Sequence, residues 1–509
     1  MSLKKTGFRV TMMLRNGVIS VKKLFMAALC VLLCCLSGCG TVSVGLIQTK
    51  EDLKPATGPF SRTIEFTVSD TPNKDVISGL GAEWDPHFFM SYNQDKGCDE
   101  QDWALICERA KMLGIQKIRV WCIPLWFEPE KDVYTFESDK MASLTRVLDA
   151  AEELGIDVNI TLWGCQGWLA MDNDYWISPP NDLTAYAEGV SELTRWLLDT
   201  KQYTCVKELT FHNEPDWEYK CDDTVSDPTE YYFEMCRTVD ATLRADGLRD
   251  RIRLSLPGVS FSAASKFAAG LGDIADSFDI HCYNFGAESL FPEITSNVEK
   301  LKEELTAAGI GDMPITVSEF GGNKQIDAYH QEDTDSYDRG VYYSTIVEAF
   351  LSEGVSSMLH WCFFDQYYNG SGDEQNSRMM LGLFSYKDDN WEPRPFYHSW
   401  GLITKYAVKG SEIYPFTTNS KYVNGVALKS PDGKWTYLIT CQQKGKDTVV
   451  KINNPHLTEP QMNVHEYKPE NITTGDELIG SSGIAYSEGG TVYVLARKNT
   501  FTLLTEMDN

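Results

Sequence analysis

The chain has 509 residues, of which 42% are hydrophobic and 12% aromatic, and its formal net charge is −27 at pH 7. This composition excludes a disordered chain, and the length suffices for one large domain and a smaller one. The acidic balance argues against a nucleic-acid partner, because nucleic-acid binding depends on clustered Lys and Arg. It favours an exported protein with a neutral ligand, or it reflects solubility alone.

The N-terminal segment has the pattern of an export signal. Two lysines precede an apolar run at residues 24–36, which is too short to span a bilayer and is typical of a signal-peptide core. The run ends in Leu-Ser-Gly before Cys39, a sequence that resembles the bacterial lipobox. The resemblance implies a lipoprotein signal peptide at residues 1–38, a lipidated Cys39, and a polar tether at 39–58. An ordinary secretory signal followed by a chance cysteine is the alternative.

Residues 75–404 alternate between short β-rich runs and longer amphipathic runs. The eight predicted strands are Ile77–Trp84, Lys117–Cys122, Val158–Gly164, Lys207–His212, Ile252–Leu256, Phe278–Tyr283, Ile315–Phe320 and Ser357–Phe363. The predicted helices are Gln101–Leu113, Ser143–Leu154, Leu183–Leu198, Thr229–Leu243, Ala264–Leu271, Ile294–Ala308 and Tyr337–Leu351. This alternation predicts an α/β fold with parallel strands, and eight units are typical of a (β/α)8 TIM barrel. A doubly wound open sheet is the alternative, but no G-x-G-x-x-G motif follows a strand.

Helical periodicity stops near residue 404, and residues 405–509 carry short alternating runs separated by turn signals. The predicted strands are Val423–Leu428, Thr436–Thr440, Thr448–Ile452, Met462–Glu466, Ile484–Ser487, Thr491–Leu495 and Thr500–Leu504. This pattern predicts a C-terminal all-β sandwich. An alternating run at 63–68, within residues 59–74, is a candidate for one further strand of that sandwich.

Cysteine spacing argues against a metal site. The chain has fourteen cysteines but no Cys-x-x-Cys or other metal-ligand spacing, so zinc is not expected. Of the ten cysteines after the signal region, four lie at or just past apolar strand-like runs, where buried free thiols are the default: Cys122, Cys165, Cys282 and Cys362. A disulfide such as Cys205–Cys221 is left open.

Two predicted strands end on a glutamate. Thr-Phe-His-Asn-Glu-Pro carries Glu214 after the fourth barrel strand, and Ile-Thr-Val-Ser-Glu-Phe-Gly carries Glu319 at the end of the seventh. Barrel enzymes build their active sites at the C-terminal ends of the strands. Two carboxylates there are what glycosidic bond cleavage requires, one as acid/base and one as nucleophile. Two unrelated surface glutamates are the alternative.

Asn-Glu-Pro after strand four and Glu-Phe-Gly after strand seven resemble the retaining glycoside hydrolases of clan A, the 4/7 superfamily. The resemblance covers residues 75–400, and a barrel followed by a β-sandwich further resembles clan members such as families 30, 39 and 79. It implies that Glu214 is the acid/base and Glu319 the nucleophile. It also implies a carbohydrate substrate and no metal or organic cofactor.

The same resemblance implies roles for five further residues. Asn213 corresponds to the residue that hydrogen-bonds the sugar 2-hydroxyl, and Arg119 to the one that holds the nucleophile ionised. His281 and Tyr283 match a His/Tyr pair whose tyrosine hydroxyl orients the nucleophile. Trp361 matches the tryptophan that floors the catalytic subsite. A turn-forming Asn, a surface salt bridge and aromatic core packing are the corresponding structural alternatives.

Several more side chains lie at or just after strand ends, on the expected active face. Trp84 and Trp163 are candidates for sugar stacking, since sugars present apolar C–H faces to aromatic rings. Other residues in comparable positions are Trp121, Trp126, Trp168, Trp217, Glu83, His87 and His212.

The sequence therefore predicts an exported, lipid-anchored retaining β-glycosidase, held to the bacterial cell membrane, outer membrane or cell surface through Cys39. A non-catalytic surface glycan-binding lipoprotein is one alternative. A phosphate-handling barrel enzyme is another, for which Gly321-Gly322-Asn323-Lys324 is the candidate phosphate loop.

Overall fold

The computed structural model describes residues 46–48, 63–283, 290–322, 325–327, 330, 331, 333–369, 377–457 and 459–508. The predicted signal peptide, Cys39 and most of the tether lie outside these residues. All described residues except Leu46 belong to one compact unit, Ile47–Asn509. Within the described ranges, no helix is both long and apolar enough to cross a membrane.

Eight parallel strands form a barrel, as the alternation of runs predicts. They are β3 (Gly79–Glu83), β4 (Lys117–Cys122), β5 (Asp157–Leu162), β6 (Val206–Phe211), β7 (Arg253–Leu254), β8 (Phe278–Cys282), β9 (Ile315–Phe320) and β12 (Ser357–His360). Their order in the sheet is β7-β6-β5-β4-β3-β12-β9-β8. Parallel bridges from Ser255 to Ser277 and from Val259 to Ile280 join the segment after β7 to the region of β8 and close the ring.

Seven of the described helices that pack around the barrel follow the predicted segments, whereas Ser91–Gln94 and Pro395–Tyr406 were not predicted. The described α-helices are α1 (Ser91–Gln94), α2 (Glu100–Leu113), α3 (Asp139–Leu154), α4 (Leu183–Arg195), α5 (Pro228–Ala245), α6 (Phe261–Leu271), α7 (Leu290–Ala307), α8 (Tyr337–Ser352) and α9 (Pro395–Tyr406). A capping box formed by Asp99 and Asp102 begins α2, and Gly114 ends it with a left-handed φ of 68°. Buried apolar faces of these helices and inward-facing strand residues form one continuous core.

The remaining strands are β1 (Leu46–Gln48), β2 (Thr63–Val68), β10 (Gln325–Asp327), β11 (His330–Gln331), β13 (Gln366–Tyr367), β14 (Arg378–Met379), β15 (Glu412–Thr418), β16 (Val423–Lys429), β17 (Trp435–Cys441), β18 (Thr448–Asn453), β19 (Gln461–Tyr467), β20 (Gly483–Glu488), β21 (Thr491–Ala496) and β22 (Thr500–Thr505). Strands β10 with β11 and β13 with β14 form short antiparallel ribbons after the last two barrel strands.

The C-terminal strands build an all-β sandwich that has its own core. Strand β15 pairs with β16 through its first four residues and with β2 through its last three, so it passes from one sheet to the other. Strand β20 does the same between β19 and β21. Strands that switch sheets form the corners of such sandwiches. Strand β2, from before the barrel, lies between β15 and β18.

Helix α8 of the barrel packs against the sandwich through a buried acid. Glu348 has no exposed surface, and one of its carboxyl oxygens accepts a hydrogen bond of 2.7 Å from the Thr440 hydroxyl. The other oxygen, Oε2, has no hydrogen-bond partner among the described residues. Burial raises the pKa of Glu348 well above its ordinary value, so the folded chain retains a proton that the unfolded chain releases.

We expect Glu348→Gln to gain thermal stability relative to the native chain as pH rises. A carboxyl whose folded pKa is raised stabilises the fold fully below its unfolded pKa of about 4.3, and loses this contribution as pH rises toward the folded pKa. The glutamine amide keeps the shape of the glutamate side chain, and because it does not ionise, its burial does not become more costly as pH rises. Thermal melts at about pH 5 and pH 8 should show a difference in Tm that widens by a few degrees. An exposed control, Glu303→Gln, should show no such trend, and a constant difference for Glu348→Gln would contradict the account.

Candidate active site

Glu319 is the penultimate residue of strand β9, and its carboxylate is held on two sides. Oε1 accepts a hydrogen bond from the Arg119 guanidinium, and Oε2 accepts one of 2.9 Å from the Tyr283 hydroxyl. Only 7% of the Glu319 side chain is exposed. These two donors fix the rotamer of the carboxylate, and the ion pair stabilises its negative charge. A fixed, ionised carboxylate is suited to act as a nucleophile.

Glu214 lies just past the end of strand β6, on a backbone that turns sharply. His212 and Glu214 have φ values of 62° and 42°, in the left-handed region that non-glycine residues rarely adopt. Such strain is concentrated at functional sites, where the surrounding structure enforces it. The Glu214 side chain is 16% exposed, more than twice the fraction for Glu319. Glu214 is therefore the more accessible of the two carboxyl groups.

His281 lies between the two glutamates. Its Nδ1 lies 2.7 Å from Glu214 Oε1 and 3.6 Å from Glu319 Oε2, and its Nε2 lies 3.1 Å from the Ser318 hydroxyl. The three ligand-type atoms of Glu214, His281 and Glu319 all lie within 4.8 Å of one another. Burial opposes a charge on the imidazole, but the carboxylates of Glu319 and Glu214 outweigh it and raise the pKa of His281.

Arg119 on strand β4 connects Glu319 to its neighbours. Beside its ion pair with Glu319, its Nη2 donates to Asn213 Oδ1 at 2.9 Å and its Nε donates to Thr161 at 2.9 Å. The guanidinium lies 4.6 Å from the ring of Trp163. Burial opposes the charge, but the carboxylates of Glu83 and Glu319 raise the pKa of Arg119 further. A permanently charged group thus lies at the centre of the site.

Asn213 is oriented from three directions. Arg119 donates to its side-chain oxygen, its side-chain nitrogen donates to Glu218 at 3.2 Å, and its backbone N–H donates to the Trp163 carbonyl at 3.2 Å. Burial, reinforced by the negative charge of Glu214, raises the pKa of Glu218 to about 7. These contacts fix the amide beside Glu214.

Two glycines make room for site residues. A Cβ on Gly321 would lie 2.5 Å from the Tyr283 ring, and one on Gly258 would lie 1.9 Å from His281 Nε2. Gly322 donates its N–H to Gln331 at 3.2 Å. These contacts leave no open loop for a phosphate at Gly321 and Gly322, and the other two residues of the predicted loop lie outside the described part of the chain.

Indole rings form a wall beside the two glutamates. Trp361 lies 5.7 Å from Trp163, Trp163 lies 4.6 Å from Trp121, and Trp121 lies 6.0 Å from Trp176. The first three are at most 9% exposed, whereas Trp176 is 49% exposed. Trp217, three residues after Glu214, is 60% exposed. The wall therefore runs from the Arg119 guanidinium to solvent.

The prediction that Trp84 binds substrate is wrong. Trp84 has no exposed surface and packs against Trp103 at 5.4 Å and Phe363 at 5.0 Å. Its position after β3 directs the indole into the layer between the barrel and helix α2, because successive strand residues face opposite sides. A position at the end of a strand does not by itself show whether the side chain faces the active site or the layer between the barrel and its helices.

The other predicted binding residues lie around the two glutamates: Asn213, Arg119, His281, Tyr283, Trp361 and Trp163. The sequence reasoning missed Asp85, Glu218 and Tyr368, which also lie at the site. Asp85 follows Glu83 by two residues, and this spacing places both side chains on the same side of an extended segment. The spacing could therefore have indicated that Asp85 belongs to the site. For Tyr368 the sequence carries no comparable signal.

All ten cysteines of the described residues are free thiols, including Cys205 and Cys221. Within the part of the chain that the structure describes, the residues that could hold a metal ion are Glu214, His281 and Glu319. A cation bound there would occupy both candidate catalytic carboxylates. The trio therefore serves either a metal or the two-carboxylate reaction.

No family model and no curated protein sequence matches the chain. Among solved structures, SrfJ from Salmonella typhimurium is similar with a TM-score of 0.63 and 12% identity, over 88% of this chain and 93% of that one. The catalytic domain of GH30 xylanase C from Talaromyces cellulolyticus is similar with a TM-score of 0.61 and 12% identity, over 87% and 100%. A GH39 β-xylosidase from Caulobacter crescentus has a TM-score of 0.59 and 14% identity, over 87% and 99%.

The chain shares the fold of these solved structures, two of which are GH30 and GH39 enzymes. This confirms the predicted (β/α)8 barrel with a C-terminal all-β sandwich. The likeness concerns the fold, and what the chain does chemically is argued from its own site.

For glycoside hydrolysis, the activity proposed below, we expect Tyr283→Phe to lower kcat/KM by about 10- to 100-fold, since a hydrogen bond to a charged group is worth roughly 1.5–3 kcal/mol. Tyr203→Phe is the matched control, because Tyr203 also donates to a carboxylate, Asp149, but does so away from the site. Steady-state kinetics of both variants would check this. Equal losses in the two variants would contradict a specific role for Tyr283.

Proposed function

We propose that the chain is a retaining glycosidase that cleaves β-glycosidic bonds in poly- or oligosaccharides. The observation that carries the proposal is the pairing of Glu214 and Glu319, which approach within 4.8 Å through one oxygen each. Retaining enzymes hold their two carboxyl groups about 5–5.5 Å apart, whereas inverting enzymes separate them by about 6.5–9.5 Å to admit a water molecule. The short separation supports direct attack by one carboxylate.

In the first step, Glu319 attacks the anomeric carbon and forms a glycosyl ester, while Glu214 gives its proton to the departing oxygen. Arg119 and Tyr283 keep the attacking carboxylate in place. In the second step, Glu214 takes a proton from water, which attacks the anomeric carbon and releases Glu319. His281, at 2.7 Å from Glu214, holds the acid/base in position through both steps. Asn213 is placed to hydrogen-bond a sugar hydroxyl.

The aromatic wall supports a carbohydrate substrate. Trp121, Trp163 and Trp361 line the approach to the guanidinium, and Trp176 exposes its ring at the outer end of this wall. Trp217 exposes its ring three residues after Glu214. Exposed indoles are unfavourable in water unless a ligand covers them, and the apolar faces of sugar rings do so. The same wall supports the second candidate, a surface protein that binds glycans without cleaving them.

A substrate panel tests both candidates together. Protein lacking residues 1–39 would be incubated with β-glucans, xylans, mannans and galactans, beside Glu319→Ala and Glu214→Ala variants. We expect reducing ends to appear with the native protein and with neither variant. Binding to a polysaccharide without release, equal in all three proteins, would overturn the glycosidase and leave the glycan-binding function.

We further propose that the protein is exported and lipid-anchored to a bacterial membrane or cell surface through Cys39. The support is the apolar run at 24–36 and the Leu-Ser-Gly-Cys sequence that follows it. Expression of the full chain in bacteria with labelled fatty acid should label the native protein and leave Cys39→Ala unlabelled. Equal labelling of both would contradict the anchor.

A further inference from the structure

A second pair of carboxyl groups lies beside the nucleophile, and the double displacement does not use it. Glu83 ends strand β3 and Asp85 follows two residues later, and neither has any exposed surface. Burying one ionised carboxylate is costly, and burying two side by side is more so. Such a pair needs a compensating positive charge or a proton.

The contacts of the pair are few. Glu83 Oε2 lies 3.3 Å from Arg119 Nη1, and Asp85 Oδ2 accepts a hydrogen bond from the Tyr368 hydroxyl. The two carboxyl groups act on each other, and a proton shared between them would remove one of the two buried charges. The remaining oxygens, Glu83 Oε1 and Asp85 Oδ1, accept no hydrogen bond from a donor in the described part of the chain. One shared proton accounts for this geometry.

Charge balance leads to the same conclusion. Arg119 is the one cation in contact with the pair among the described residues, and its Nη1 also contacts Glu319. The titratable groups that act on the pair or face it are Arg119, Glu319, Tyr368, Cys362 and Tyr92. Burial raises the pKa of Glu83 well above its ordinary value and that of Asp85 to about 7. One guanidinium therefore faces Glu83, Asp85 and Glu319, and Asp279 adds a further negative charge near it.

We propose that Glu83 and Asp85 share one proton at working pH, and that this proton keeps the charge of Arg119 directed at Glu319. The proposal rests on the function proposed above. With the proton in place, Glu83 does not compete for Arg119 Nη1 as a full anion. When the proton leaves, two anions draw the guanidinium toward β3 and weaken its hold on the nucleophile. Glu83 and Asp85 are positioning residues in this scheme, since they act through Arg119.

The first arm of the test needs no substrate. Because a raised carboxyl pKa stabilises the fold at low pH, the native chain should lose stability as pH rises from the unfolded pKa of about 4 toward the folded pKa of the pair. Glu83→Gln should reduce this slope, because its amide donates to Asp85 and cannot ionise. Unfolding by denaturant across this pH range measures the slope. An identical slope in both proteins would overturn the shared proton.

The second arm measures the nucleophile. In a Glu214→Ala background, an aryl glycoside with a dinitrophenol leaving group reports attack by Glu319 without a contribution from the acid. We expect kcat/KM to fall about tenfold per pH unit on the alkaline side, and Glu83→Gln to abolish that limb. Glu348→Gln, which also removes a buried carboxyl but lies away from the site, should leave the limb unchanged.

The two arms separate the possible failures. Two results would overturn the link between the pair and Glu319. One is a fall of kcat/KM at alkaline pH that persists in Glu83→Gln. The other is the absence of such a fall in the Glu214→Ala parent. A changed unfolding slope in Glu83→Gln, together with no turnover by the native chain on any substrate, would overturn the proposed function and that link. The shared proton would then stand by itself.

Discussion

Glu319→Gln is expected to abolish glycoside cleavage. The amide is isosteric and can still contact Arg119 and Tyr283, so the fold and the sugar site remain, but it cannot form the glycosyl ester. We expect the loss in kcat/KM to exceed the roughly 10²–10⁴-fold cost of removing a general acid or base, because no other group replaces the nucleophile. Kinetics on the substrate found in the panel measure the loss. Glu303→Gln, an exposed exchange of the same type on α7, should have no effect.

A stronger form of this test uses Glu319→Ala with azide. The cavity left by the side chain admits a small anion on the face from which Glu319 attacks. Azide should therefore restore turnover of an activated glycoside and give a glycosyl azide of inverted configuration. Rescue with retained configuration, or activity that survives in both Glu319 variants, would show that another group is the nucleophile.

Glu214→Ala is expected to show a loss that depends on the leaving group. For a natural sugar leaving group, which needs a proton, we expect kcat/KM to fall by about 10²–10⁴-fold. For a dinitrophenyl glycoside, whose leaving group departs as an anion, we expect kcat/KM to change little. Kinetics on both substrates, and the configuration of the product formed with added azide, measure this.

Azide should accelerate Glu214→Ala and give a product of retained configuration, because it intercepts the ester on Glu319 from the opposite face. Equal losses for both leaving groups would contradict the acid role of Glu214. An azide product of inverted configuration would contradict the order of the two steps.

The barrel was predictable from the sequence because its strands are continuous β-branched runs bounded by helices. Strands Lys117–Cys122 and Ile315–Phe320 begin and end where the pattern predicts. Strand Glu412–Thr418 was not predicted, because Pro415 interrupts its pattern. The strand changes partners next to that proline, from β16 at Pro415 to β2 at Phe416, and a corner of this kind tolerates the residue.

Helix Pro395–Tyr406 was also missed, since its buried residues surround the helix and leave no amphipathic periodicity. Pro395 occupies the first helical position, where its missing N–H is not needed. Tertiary contacts therefore stabilise this helix, and the local sequence pattern did not reveal it.

The site was predictable where a single short motif carried it. Asn213 and Glu214 share one strand end, and His281 and Tyr283 share another, so their proximity followed from the barrel itself. The partnership of Asp85 with Tyr368 did not, because 283 positions separate them and the contact exists only once the last strand closes the ring against the first. The direction of Trp84 depended likewise on packing against Trp103.

In the proposed mechanism, Glu319 forms a covalent bond to the anomeric carbon of the sugar. A 2-deoxy-2-fluoro β-glycoside of the sugar identified by the panel, with a dinitrophenol leaving group, slows both steps but lets the first proceed, so the ester accumulates. Mass spectrometry of the intact protein and of its peptides should show one added glycosyl group, located on Glu319 and absent from Glu319→Gln. Turnover of the parent glycoside with no adduct and an inverted product, or an adduct on another residue, would contradict the mechanism.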